Sequence, residues 1–94
     1  MTKAELSEEV ARRLGITKKL AAQAVDTVFT VILDTLKDGD DDVKVQVIPF
    51  GSFTKRRRQA REGRDPRTGK PINIRARTVP VFTPGKALRE SVDK

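Results

Sequence analysis

The 94-residue sequence contains no cysteine and no histidine. Disulfides and Cys/His zinc sites are thereby excluded, and so is any histidine-based catalytic triad. Aromatic residues are few, four phenylalanines and neither tyrosine nor tryptophan. No apolar run approaches the roughly 20 residues that span a bilayer. The opening Met1-Thr2-Lys3-Ala4-Glu5 lacks the apolar segment of a secretory signal, so an intracellular protein is expected. Paired carboxylates, a glycine-rich phosphate loop and a nucleophile constellation are all missing. The expectation is therefore no catalytic residue, metal ligand, cofactor or small-molecule substrate, and an enzyme is the least supported class.

Cations are abundant, and they are segregated. The net charge is +7 and the pI about 10.3. Between Thr54 and Thr78 stand ten of them: Lys55, Arg56, Arg57, Arg58, Arg61, Arg64, Arg67, Lys70, Arg75 and Arg77. Only Glu62 and Asp65 oppose them, so this segment carries +8 and the rest of the chain sums to −1. Charge concentrated in this way favours a polyanionic partner. The Lys55–Arg58 run could be a merely solvated face, but four consecutive cations repel one another, and a bare surface does not favour that. Asp65-Pro66-Arg67-Thr68-Gly69 is a strong turn signal between two extended runs. The pattern predicts a basic two-stranded arm with proline at its tip, suited to reaching around a polyanion and wedging into it.

The remainder reads as a small body. Thr2 and Glu5 fit a capping box, Leu6, Val10, Ala11 and Leu14 follow at helical spacing, and Gly15 is a natural stop. Thr17 is the expected cap of a second helix running to about Lys37 and closed by Gly39. Its apolar residues, among them Val28, Phe29, Ile32 and Leu36, cover more than one face. A helix apolar over most of its circumference must be buried on several sides. The first helix cannot cover it alone, which implies a dimer. Asp40-Asp41-Asp42 lacks the spaced oxygen ligands of a calcium loop and reads as a solvated loop. Val43, Val45 and Val47 alternate as in a half-buried strand, and Pro49 and Gly51 mark a turn. The returning run spans Ile72 to Phe82. Thr83 as N-cap and Pro84 at the first helical position predict a last short helix with Leu88 and Val92 inward. The order is α-α-β-β-β-α, an α+β class. Phe50, Phe53 and Phe82 lie beside valine and glycine, away from the arginines, and so read as core residues and not as base-stacking platforms.

Three segments together, PFGSF, R-x-x-R-x-G-R-D-P-R-T-G and VPVFTPGKAL, resemble the bacterial histone-like HU and integration host factor (IHF) proteins. The likeness runs over essentially the whole chain and includes Lys3 and Gly15. It implies a single domain, 1–94, in two interlocked copies. Residues 1–53 and 79–94 would form the dimerisation body and 54–78 a DNA-binding β-arm. What is known of that family implies arms that embrace double-stranded DNA in the minor groove, a proline near each tip kinking the duplex. On that pattern Pro66 is the intercalating wedge. Lys55, Arg56, Arg58, Arg61, Arg64, Arg67, Lys70, Arg75 and Arg77 meet DNA along the arm, and Lys3, Lys86 and Arg89 touch its backbone at the body. Val28, Phe29, Ile32, Leu36, Phe50, Phe53 and Phe82 form the dimer core.

Departures from the family pattern stand at three places. Asp65 occupies a position usually held by Asn, which removes a hydrogen-bond donor near DNA and adds repulsion. Weaker tip insertion is expected, offset by the extra charges Arg57 and Arg67. The Asp40–Asp42 loop is longer and more acidic than usual, and Pro49 replaces a customary Gly. The resemblance implies a cytoplasmic, nucleoid-associated protein that bends DNA with little sequence preference, as a homodimer or a heterodimer. A sequence-specific IHF-like subunit and an RNA-binding or ribosome-associated basic module remain open as alternatives.

Overall fold

Thr2 starts the first helix through a reciprocal pair of bonds. The Glu5 N–H donates to Thr2 Oγ1 at 3.2 Å, and the Thr2 N–H donates to Glu5 Oε1 at 3.4 Å. In the computed structural model, which describes residues 1–93, this helix is α1, Lys3–Leu14. Gly15 ends it at φ 65°, the left-handed conformation that glycine adopts without strain. Thr17 Oγ1 accepts the Leu20 N–H at 3.1 Å and opens α2, Lys18–Asp38. Gly39 closes α2 with extended backbone, its N–H donating to Thr35 O.

Five antiparallel strands follow: β1 Lys44–Val47, β2 Gly51–Arg58, β3 Arg61–Arg64, β4 Pro71–Ile74 and β5 Arg77–Pro84. They form a three-stranded sheet in the order β1-β2-β5 and a separate two-stranded sheet, β3-β4. The turn between β1 and β2 contains a cis Ile48–Pro49 bond, and the Phe50 N–H donates to Val47 O. Gly51 lies opposite Pro84 where the strands meet closely. A Cβ there would fall 2.6 Å from Thr83 O and 2.7 Å from the Phe82 ring, so only glycine fits. Phe82 stands opposite Phe53 at a centroid distance of 4.9 Å, with Phe50 at 5.5 Å. Both contacts are tilted, the geometry that aromatic quadrupoles favour.

The structure corrects three expectations. The returning run from Ile72 is not one strand: it divides into β4 and β5 at Arg75-Ala76, opposite a matching break at Gln59-Ala60. The last helix, α3, spans Lys86–Val92 with Gly85 as N-cap and no side-chain cap bond. Thr83 and Pro84 remain in β5, because the ladder to β2 extends to Gly51 and the Gly85 N–H is drawn to Phe50 O at 2.8 Å. Sheet pairing thus overrides a sequence that looks like a helix start. Val92 is exposed, and only Leu88 is half-buried on α3. Lys94, the last residue of the expected body segment, lies outside the described residues.

The single chain has almost no core. Among the described residues the only buried side chains are those of Ser7, Ala11, Ala21 and Val25, all on α1 and α2, which pack on each other; Gly51, at the start of β2 and without a side chain, is buried as well. Small side chains seat these helices but hide little apolar surface. Val28 is 55 % exposed and Phe29 48 %, while Ile32, Leu36 and Phe53 are half-buried. The chain exposes 8096 Å², whereas a compact monomer of 10.5 kDa exposes about 5,400 Å². Its radius of gyration is 18.5 Å, against about 12 Å for a compact domain of this length. Part of that excess is a projecting arm, and part is the uncovered face of α2.

Candidate nucleic-acid interface

The arm grows out of the body sheet. Pairing of β2 with β5 runs from Gly51↔Pro84 in the body out to Arg58↔Arg77. Side chains alternate between faces along a strand. Phe53, Lys55 and Arg57 therefore share one face, and Thr54, Arg56 and Arg58 the other. On the first face Lys55 behaves unlike its neighbours. It is half-buried, and its Nζ donates to Gly39 O at 2.6 Å, at the C-terminus of α2. A cation there completes an orphan carbonyl and faces the negative end of the helix dipole. It anchors the arm base to α2 and stands apart from the other cations of the segment.

Arg56, Arg58, Arg61, Arg64, Arg67, Lys70, Arg75 and Arg77 are all exposed, as is Arg57. Arg58 and Arg77 are directly opposite each other. Like charges across a ladder destabilise it, and the break at Gln59-Ala60 and Arg75-Ala76 follows immediately. Around this break Arg58, Gln59, Arg61, Ile74, Arg75 and Arg77 line an open concavity of about 290 Å³. None of its four guanidiniums is ion-paired with a carboxylate among the described residues. Four uncompensated cations around one hollow favour an anion entering it.

Beyond the break, β3 and β4 pair from Arg61↔Ile74 to Arg64↔Pro71. The tip turn is tightly bonded. The Asp65 N–H donates to Lys70 O at 2.9 Å, and the Gly69 N–H donates to Asp65 O at 2.7 Å. Asp65 Oδ1 accepts the Arg67 N–H at 2.8 Å. Arg64 Nη1 donates to Gly69 O at 3.0 Å. Gly69 takes φ 70°, which closes the turn and leaves Pro66 exposed within it.

The body cations are placed separately. Lys3 Nζ is 2.6 Å from Asp26 Oδ1, linking α1 to α2, with both groups more than half exposed. Lys86 lies 3.9 Å from Glu90 on α3, and Arg89 is exposed one turn along. Far from the arm, Glu9 accepts hydrogen bonds from Arg12 and Arg13. The Arg12 guanidinium, then that of Arg13, hold its carboxyl down at about 2, and the same pairing raises Arg12. Sequence reasoning did not single out this cluster, although Glu9 is spaced three and four residues from its partners.

The family pattern described as "Bacterial DNA-binding protein" matches residues 1–93. The chain belongs to that family. It is 52 % identical to DNA-binding protein HU 1 of Bacillus subtilis over 92 residues, 98 % of this chain and 97 % of that protein. It is 47 % identical to DNA-binding protein HU-beta of Serratia marcescens over 93 residues, 99 % of this chain and all of that protein. Among solved structures it is similar to an Anabaena HU–DNA cocrystal structure, with a TM-score of 0.89 and 41 % identity over 99 % of this chain and 98 % of that one. The α+β layout is that of the HU fold, and the family is one of DNA-binding proteins without enzymatic activity.

Proposed function

We propose that this chain is an architectural, nucleoid-associated protein that binds double-stranded DNA as a dimer of two copies and bends it. The observation that carries the reading is the arm itself: a basic ribbon with four unpaired guanidiniums at its break and an exposed proline in its tip turn. The likeness to an HU–DNA cocrystal structure supports it. The uncovered face of α2, with Val28, Phe29 and the half-buried Ile32 and Leu36, supports the dimer. Among the described residues no helix is long and apolar enough to cross a membrane.

Affinity comes mainly from phosphate neutralisation and release of condensed counterions. Arg56, Arg58, Arg61, Arg64, Arg67, Lys70, Arg75 and Arg77 serve the arm, and Lys3, Lys86 and Arg89 the body. Lys3 competes with its own bond to Asp26. Lys55 acts from the arm base, where its bond to Gly39 holds the ribbon at a fixed angle to α2. Pro66 inserts from the minor groove between base pairs. Unstacking costs a few kcal/mol per step and is offset by the longer contact that a bent duplex makes. The minor groove displays a degenerate code, so sequence preference is weak. Flexible, nicked or mismatched duplexes bind best because they are already easy to deform.

Pro66→Ala tests the wedge. The variant keeps every arm cation, so its affinity falls little, while the bend angle measured by FRET on an end-labelled duplex drops clearly below that of the parent. Equal bend angles at saturation would remove Pro66 from the bending mechanism.

A further inference from the structure

Asp65 is the only carboxylate in the tip turn, and its side chain is only 24 % exposed while that of Arg67 is 89 % exposed. Its bonds surround Pro66. Oδ1 accepts the Arg67 N–H at 2.8 Å, the backbone carbonyl accepts the Gly69 N–H, and the backbone N–H donates to Lys70 O. Proline has no N–H and contributes no donor of its own. The direction of its ring is therefore set by the residues on either side. The Asp65 side chain folds the chain just past the proline, as Asx turns do. The same Oδ1 lies 3.8 Å from Arg67 Nε and partly neutralises the outermost cation of the arm.

These contacts act in opposite directions. As an acceptor, Asp65 holds Pro66 in place before any duplex is met. As an anion, it holds Arg67 back from phosphate and repels the polyanion itself. We propose that Asp65 is a positioning residue for the Pro66 wedge and, through Arg67, a brake on the tip's grip on DNA phosphates. This rests on the wedge reading above and deepens it. It also refines the simple expectation that a carboxylate at the tip weakens insertion: charge weakens the grip, whereas geometry assists the wedge.

Two substitutions separate the effects. Asp65→Asn keeps a carbonyl oxygen to accept the Arg67 N–H and removes the charge. Asp65→Ala removes both. Bend angle at saturation and the slope of log K against log salt are measured for both full-length variants, with Pro66→Ala alongside. Asp65→Asn bends the duplex as the parent does but binds more tightly at low salt, with a slope steeper by about 0.9 per arm as Arg67 gains a phosphate. Asp65→Ala shows the same steeper slope with a smaller bend, and Asn at this position restores the bend. An unchanged slope for Asp65→Asn overturns the brake. Equal bends for Asp65→Asn and Asp65→Ala, with a reduced bend for Pro66→Ala, overturn the positioning role alone. A parental bend for Pro66→Ala overturns the wedge and the positioning role with it.

Discussion

A chain carrying Phe29→Asp fails to form a stable dimer and loses cooperative folding at micromolar concentration. Phe29 is half exposed in the single chain, beside the equally exposed Val28 on α2. In a dimer that face is covered, and an aspartate there becomes an unpaired buried charge. Such a group costs several kcal/mol, a large share of the roughly 5–15 kcal/mol by which whole domains are stable. With no buried side chain larger than Val25 among the described residues, the single chain has little to fall back on. The parent's Tm should rise with protein concentration, because association and folding are linked. Sedimentation velocity and melts by circular dichroism over a hundredfold concentration range check both points. A variant that sediments and melts like the parent would contradict the dimer assignment of α2.

The other large effect is expected at the break in the arm. Arg58, Arg61, Arg75 and Arg77 surround one concavity, and none is paired with a carboxylate among the described residues. Changing all four to Ala removes like-charge repulsion from the free arm, so its folding is not harmed. DNA binding loses up to four phosphate contacts per arm, and the salt slope falls by about 3.6 per protomer. Between 50 and 200 mM salt the parent's affinity should then drop about 150-fold more than the variant's, counted per protomer. Equilibrium titrations of a random-sequence duplex at four salt concentrations supply the slopes. A variant slope equal to the parent's would mean that these guanidiniums face solvent and not phosphate.

Features governed by near neighbours were legible in the sequence. The Thr2–Glu5 capping box, the Thr17 cap and the left-handed Gly15 are decided within four residues. A strand at Val45 and Val47 and the turn at Asp65–Gly69 were equally plain, although in the single chain only Val45 of β1 is half-buried and Val43 lies before the strand. What escaped the sequence depends on distant partners. Thr83-Pro84 carries the chemistry of a helix start, yet pairing with Gly51 thirty-three positions away keeps it in β5. No glycine or proline marks the break at Gln59-Ala60 and Arg75-Ala76. It arises where Arg58 and Arg77 meet across the ladder, which only the register reveals. Lys55 looks identical to Arg56 in a run of cations. The alternation of faces turns it toward Gly39, a contact across sixteen positions that no local pattern signals.

The central function proposed for the basic arm is to grip and bend duplex DNA. The most direct measurement is titration of a short random-sequence duplex and a nicked duplex of equal length at several salt concentrations. Both should bind, the nicked one more tightly, with affinity falling steeply as salt rises. Weak or absent duplex binding at low salt, or stronger binding to double-stranded RNA of the same length, would contradict it.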